Sequence, residues 1–188
     1  LSCIRDAPGV WDKSFTQRMA CLLYLHGIFI SSHLSSPSSG FNHLAGEAAA
    51  LCWLGICLPD IPEAEEWREK GKWALEESIY RLIRIDGGAF EGSLHYLAFA
   101  CRLAVLAGVI YDRLGEHLIS KHACERMARA YRFLCAVTDG GRSISEFGDS
   151  DGASFPAPAP ADAKERYLGT LNLLWLFCEG QDLLNDFR

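Results

Sequence analysis

The sequence predicts an all-α fold, an incomplete α/α barrel or toroid of antiparallel helical hairpins. Apolar residues recur at helical spacing along most of the chain, and Gly- and Pro-containing segments interrupt them. No run of β-branched residues alternates with polar ones as a strand would. We therefore expect a single helical domain over residues 1–188.

The spacing of apolar residues predicts six helices. They cover about residues 11–33, 42–58, 64–85, 93–114, 117–137 and 161–181. In the first helix Phe15, Met19, Leu22, Leu23, His26, Phe29 and Ile30 recur at helical spacing. Residues 59–62 and 86–88 carry Pro or Gly at two of the breaks. A Pro-Ala run at 156–160 ends the longest irregular stretch.

The second and fourth predicted helices are apolar on nearly every side, as residues 44–54 and 97–107 show. A helix of this kind is buried on most of its faces. The inner ring of a double-layered barrel has this property. A simple helix bundle around one core is the competing explanation.

The composition fits a globular protein and excludes two classes of partner. The chain has 188 residues, 49% of them hydrophobic and 22% charged, which is enough for one domain with a core. The net charge of −6 argues against non-specific nucleic-acid binding, so an anionic partner must meet local positive groups. No run of eighteen consecutive apolar residues predicts a membrane span.

The eight cysteines form no CxxC pair and match no zinc motif. Most lie in apolar helical runs, so we expect unpaired thiols, which favour a reducing compartment. We expect no cofactor and no metal, since His43 and Glu47 offer two ligands on one helix face and a closed site needs about four. The N-terminus lacks the form of a signal peptide and does not begin with Met, which suggests a fragment or a processed piece.

Three polar clusters lie at helix boundaries, at residues 39–47, 86–96 and 146–152. If consecutive helices run antiparallel, the starts of the second and fourth helices lie at the same end of the domain. The exit of the fifth helix returns to that end. The three clusters are therefore expected to converge on one rim.

Asn42, His43, His95 and Tyr96 lie at the starts of helices, where free N–H groups and the helix dipole favour anions. An amide, two imidazoles and a phenol suit an anionic sugar. Each residue also has a structural explanation when taken alone. Asn42 suits a helix cap, and Tyr96 suits a packed aromatic.

The acidic residues of the rim also have structural explanations when each is taken alone. His43 and Glu47 are spaced as a surface pair, and Asp149 and Asp151 are typical of turns.

The ordered set of motifs resembles the heparinase II/III-like polysaccharide lyases and the related alginate lyases. The set is Asn-His-x3-Glu from Asn42, Asp-Gly-x3-Glu-x-Ser-x2-Tyr from Asp86, and Gly-Asp-Ser-Asp from Gly148. The preceding segment, with Trp11, Arg18, His26 and His33, is also similar to that family. The resemblance extends from about residue 11 to residue 152.

The resemblance implies cleavage of an acidic, uronate-containing glycan by β-elimination. Asn42, helped by His43, would neutralise the carboxylate beside the C5 proton, and Tyr96 would transfer a proton. The other rim residues would contact the substrate; they are Glu47, Glu91, His95 and Asp149.

The resemblance also implies parts that this sequence lacks. Such lyases draw a further histidine from a C-terminal β-sandwich domain, and their barrels begin with additional helices. We therefore expect a fragment of a larger toroid whose partners include those missing parts, and which alone is incomplete as an enzyme. The family resemblance suggests a periplasmic or secreted protein, whereas the expected unpaired thiols favour a reducing compartment.

Two other functions fit the residues. A helical-barrel glycoside hydrolase would use two carboxylates, such as Glu91 and Asp149. A non-catalytic glycan-binding or scaffold domain would use the same rim without chemistry.

Overall fold

A computed structural model describes residues 12–35, 41–139, 147–151 and 163–178, and these residues confirm the all-α prediction. They form six helices and no strand. The helices are α1 (Lys13–Ser32), α2 (Phe41–Cys57), α3 (Ala64–Leu82), α4 (Leu94–Arg113), α5 (Lys121–Val137) and α6 (Ala163–Cys178). Their closure into a double-layered barrel stays a prediction.

Side-chain caps set three of the helix starts. Asp12 accepts a hydrogen bond from the Phe15 amide at the start of α1. Ser93 caps α4, and Ser120 caps α5 through the Ala123 amide. Because Ser120 is the cap, α5 begins at Lys121, later than the apolar pattern predicted.

The end of α3 also differs from the prediction. The helix stops at Leu82, because Ile83 turns to an extended conformation and forms an isolated antiparallel bridge with Ala89. The Arg126 guanidinium on α5 donates to the Ile83 carbonyl at 3.0 Å. Ile83 to Ile85 therefore belong to the connecting loop rather than to the helix.

Close helix packing depends on two glycines. A Cβ atom on Gly71 of α3 would lie 2.8 Å from the backbone of Ala48 and Cys52 on α2. A Cβ on Gly27 of α1 would lie 2.2 Å from the ring of Trp67 on α3. Any side chain at these positions would push the helices apart.

Helix α4 is the centre of the packing. It contacts α2, α3, α5 and α6, and thirteen of its residues are buried. Its length and hydropathy are those of a membrane-spanning helix, but 72% of that window is buried inside the protein. A core helix gives the same values, so this feature is weak evidence for a span.

Helix α1 packs less completely than its apolar pattern predicted. Leu23 and Ile30 are half-buried against the small core around Trp67. Leu22, Leu25 and Phe29 are instead 48%, 57% and 63% exposed. These three residues form an apolar stripe on the outer face of α1.

Six described cysteines are free thiols: Cys21, Cys52, Cys57, Cys101, Cys124 and Cys135. Cys3 lies outside the described residues. Burial raises the pKa of Cys52 to about 12. Within the described ranges no group of three His, Cys, Asp or Glu side chains is placed to hold a metal ion.

Candidate functional site

The loop between α3 and α4 carries the second polar cluster. It turns tightly at Gly87, whose φ of 91° and whose contact with the Arg129 carbonyl leave no room for a side chain. The Phe90 amide donates to the Leu82 carbonyl at 2.8 Å. This turn sends the chain back towards α2 and presents Glu91 to its first turn.

A hydrogen bond between Asn42 and Glu91 connects the first polar cluster (residues 39–47) to the second (residues 86–96). The Asn42 side-chain nitrogen lies 2.9 Å from one oxygen of the Glu91 carboxylate and 3.2 Å from the other. Beside them, the rings of Phe41 and Phe90 pack with their centroids 5.0 Å apart. Since α2 begins at Phe41, Asn42 lies inside the first turn and is not the cap.

Ser93 joins the third cluster to the second. Its hydroxyl accepts from the Tyr96 amide at 3.1 Å and donates to the Asp149 carbonyl at 2.6 Å. The Leu94 amide also donates to the Phe147 carbonyl at 3.2 Å. The segment 147–151 therefore lies directly against the start of α4.

Gly148 makes this contact possible. It has a φ of 82°, and a Cβ there would lie 2.0 Å from the Gly92 carbonyl oxygen. Only a glycine allows two backbone segments to approach this closely in this conformation.

Tyr96 is half-buried in the first turn of α4, and the carboxylate of Asp149 lies near its hydroxyl. Partial burial and the nearby carboxylates of Asp149, Asp151 and Glu91 raise the pKa of Tyr96 above its usual 10.0. The phenol is thus held in its protonated form at neutral pH.

His95 packs beside Tyr96, with the ring centroids 5.5 Å apart in an edge-to-face arrangement. Its side chain is buried, and its Nε2 lies 3.4 Å from a carboxylate oxygen of Asp151. That approach lacks hydrogen-bond geometry, so among the described residues Nε2 has no hydrogen-bond partner. A buried nitrogen of this kind can bind a ligand group.

Two predicted site residues stand apart from this group. His43 is exposed, and no hydrogen bond or ion pair within the described residues links it to Asn42 or Glu91. Glu47 accepts from both the amide and the hydroxyl of Ser35, each at 2.7 Å. Its carboxylate therefore ties the segment after α1 to α2.

The structure adds three residues that the motif did not single out as site residues. Ser93 and Gly148 position the Asp149 segment, and Asp151 lies against His95. Ser93 lies three residues before Tyr96 at a predicted helix start, so the sequence alone could have predicted that it caps the helix. The close approach of Gly148 to Gly92 had no such signal, because it depends on residues that are distant in sequence.

The comparison with known families agrees with the motif order. Residues 9–155 match the family described as Heparinase II/III N-terminus. The chain belongs to this family. All the site residues described above lie within the matched region.

One curated relative of this heparinase II/III family member is a heparin-sulfate lyase from Bacteroides thetaiotaomicron. The two are 40% identical over 58 residues, which is 31% of this chain and 8% of the relative. The chain thus matches a small part of the relative's length. No solved structure matches the chain.

Proposed function

We propose that this chain is part of a polysaccharide lyase that cleaves an acidic, uronate-containing glycan by β-elimination. The observation that carries the proposal is the pairing of Asn42 with a carboxylate close to the protonated hydroxyl of Tyr96. β-Elimination needs both functions, since it requires a neutralised carboxylate and an acid for the leaving oxygen.

Asn42 would act on the substrate carboxylate. Its amide donates to the carboxylate of Glu91, which supports a role in binding a uronate carboxylate in the same way. When the substrate carboxylate replaces Glu91, the same N–H groups stabilise the charge that develops as the C5 proton leaves. His43, one residue further on and exposed, assists this neutralisation.

Tyr96 would act as the general acid towards the leaving O4. The surrounding carboxylates disfavour its phenolate, so the residue suits donating a proton better than removing one. The base is then a histidine, and the family resemblance implies one from a C-terminal domain.

The remaining rim residues would hold the sugar. Nε2 of His95 offers a hydrogen-bond position next to Tyr96, and Glu91 and Asp149 can accept hydrogen bonds from sugar hydroxyls. Glu47, whose carboxylate binds Ser35, would anchor the segment after α1 to α2 rather than contact the sugar.

We further propose that the chain is one part of a larger α/α toroid. The exposed stripe of Leu22, Leu25 and Phe29 is the kind of surface that further barrel helices cover. Activity is therefore expected of the full-length protein that carries this chain.

The relative's name favours a heparin-sulfate-like glycan over alginate or another acidic polysaccharide. Incubation of the full-length protein with a panel of acidic polysaccharides tests this. A lyase leaves an unsaturated uronate that absorbs ultraviolet light. New reducing ends without that absorbance would indicate a hydrolase, and no product from any polysaccharide would favour a binding module.

A further inference from the structure

A groove runs along α5 and is lined by residues that are not part of the candidate site. It consists of two adjoining cavities of about 260 and 380 Å³ that share Glu125 and Arg129. The first is also lined by Tyr80, His122 and Arg126, and the second by Lys121 and Arg132. We call these two cavities the α5 groove.

The α5 groove is cationic in an acidic protein. Four basic side chains line it, Lys121, Arg126, Arg129 and Arg132, and Glu125 is its one carboxylate among the described residues. The whole chain has a net charge of −6. Such a local excess of positive charge against the overall sign is what an anionic ligand requires.

Two of the guanidinium groups are held in place by backbone carbonyl groups and form no ion pair with any described residue. Arg126 donates to the Ile83 carbonyl at 3.0 Å and lies over the Tyr80 ring at 5.7 Å. Arg129 donates to the Ile85 carbonyl at 3.2 Å. A carbonyl group fixes the side chain but leaves its charge and most of its five N–H donors for a ligand.

The α5 groove adjoins the candidate site through one loop. Arg126 and Arg129 bind the first residues of the loop that follows α3, and Glu91 lies near the end of the same loop. The candidate site itself is rich in carboxylates, with Glu91, Asp149 and Asp151 around Tyr96. Attraction of an acidic polymer must therefore come from groups outside it.

We propose that the α5 groove binds the sulfate or carboxylate groups of an acidic glycan chain whose reacting unit lies at the candidate site. Planar guanidinium groups match both kinds of anion through paired hydrogen bonds. The proposal rests on the proposed function for the identity of the glycan, but it concerns binding rather than cleavage.

Calorimetric titration of the full-length protein tests the proposal, with a heparin oligosaccharide and an unsulfated oligouronate as probes. The double variant Arg129→Gln/Arg132→Gln removes two charges from the groove while keeping polar side chains. The matched control is Arg113→Gln, because Arg113 is exposed at the C-terminal end of α4 and does not line the groove. We expect the double variant to bind heparin roughly tenfold more weakly, with a smaller dependence on salt, and the control to bind like the wild type.

The probes identify the anion. If the double variant loses affinity for heparin alone, the groove binds sulfate. If it loses affinity for both probes, the groove binds sulfate and carboxylate alike. An unchanged affinity in the double variant would overturn the proposal, as would equally strong binding of duplex DNA to the wild type. If the double variant loses its cooperative thermal transition, the exposed Lys121→Gln replaces it.

Measurements of turnover distinguish a failure of the groove proposal from a failure of the proposed lyase activity. Groove variants should leave kcat on a short substrate unchanged, because the groove does not touch the reacting unit. If no glycan is cleaved but heparin binding still depends on Arg129 and Arg132, the lyase assignment fails and the groove assignment stands. If cleavage occurs and the groove variants bind normally, only the groove assignment fails.

Discussion

The amide of Asn42 donates to both carboxylate oxygens of Glu91, at 2.9 and 3.2 Å, and so joins the first turn of α2 to the loop before α4. The contact shows that this amide can bind a carboxylate in this position. It also means that a substrate carboxylate has to displace that of Glu91, or share the amide with it.

Substituting Asn42 tests the neutralising role. Asn42→Ala in the full-length protein should lower kcat by roughly 10²- to 10³-fold, as removal of one oxyanion donor does. KM should also rise, since the ground-state carboxylate is already anionic. Asn172→Ala, exposed on α6, is the matched control and should keep full activity. A variant at Asn42 with normal kcat would remove this residue from the mechanism.

The phenolic oxygen of Tyr96 should be essential for turnover but not for binding. Tyr96→Phe is expected to reduce kcat by about 10²- to 10⁴-fold with little change in substrate affinity. Tyr24→Phe offers a control, because Tyr24 is also half-buried and its hydroxyl also lies near a carboxylate, donating to Glu63 at 3.0 Å. If Tyr96→Phe keeps more than about a tenth of the wild-type kcat, Tyr96 is not the proton donor.

The pH profile should report the link between Asp149 and Tyr96. An acid works while protonated, so activity should fall as pH rises through the pKa of Tyr96. Partial burial and the carboxylates, including Asp149, raise that pKa. Asp149→Asn should therefore move the alkaline limb of kcat to lower pH, while the exposed Asp60→Asn should not. An alkaline limb that stays in place or moves upward would argue against the pairing.

Alkaline stability should depend on Cys52. Burial raises the pKa of this thiol to about 12 from an ordinary value of 9.0. In the unfolded chain the Cys52 thiol ionises at a lower pH than in the folded protein. The contribution of the buried, neutral thiol to folding stability is therefore complete below pH 9.0 and is lost progressively towards pH 12. The slope from one such group reaches about 1.4 kcal/mol per pH unit.

Urea unfolding at several pH values between 7 and 10 measures that slope. Cys52→Ala should flatten it, although the buried Cys101, whose pKa burial also raises, still contributes. Cys21→Ala, at an exposed position, is the control. Equal slopes in the wild type and Cys52→Ala would contradict the prediction.

The sequence predicted much of this arrangement, because helix order and helix caps are local signals. Counting antiparallel helices was enough to bring Asn42, Tyr96 and Asp149 to one end. The burial of α4 followed from its apolar residues on all sides. These features depend on patterns within a single helix or on the order of the helices.

Other features depend on tertiary contacts that no local pattern encodes. The early end of α3 depends on the bridge between Ile83 and Ala89 and on Arg126 from a distant helix. The engagement of Glu47 by Ser35 depends on how the chain leaves α1. The outer stripe on α1 has an apolar pattern that looks like a core face, since sequence spacing does not tell which neighbour is present.

The fate of solvent oxygen decides whether this chain belongs to a lyase. Digestion of heparan sulfate by the full-length protein in ¹⁸O-labelled water, followed by mass spectrometry, distinguishes elimination from hydrolysis. β-Elimination breaks the glycosidic linkage without adding water, so we expect unsaturated products that carry no ¹⁸O from the cleavage itself. Saturated products with one ¹⁸O for each bond broken would contradict it and assign the chain to a hydrolase.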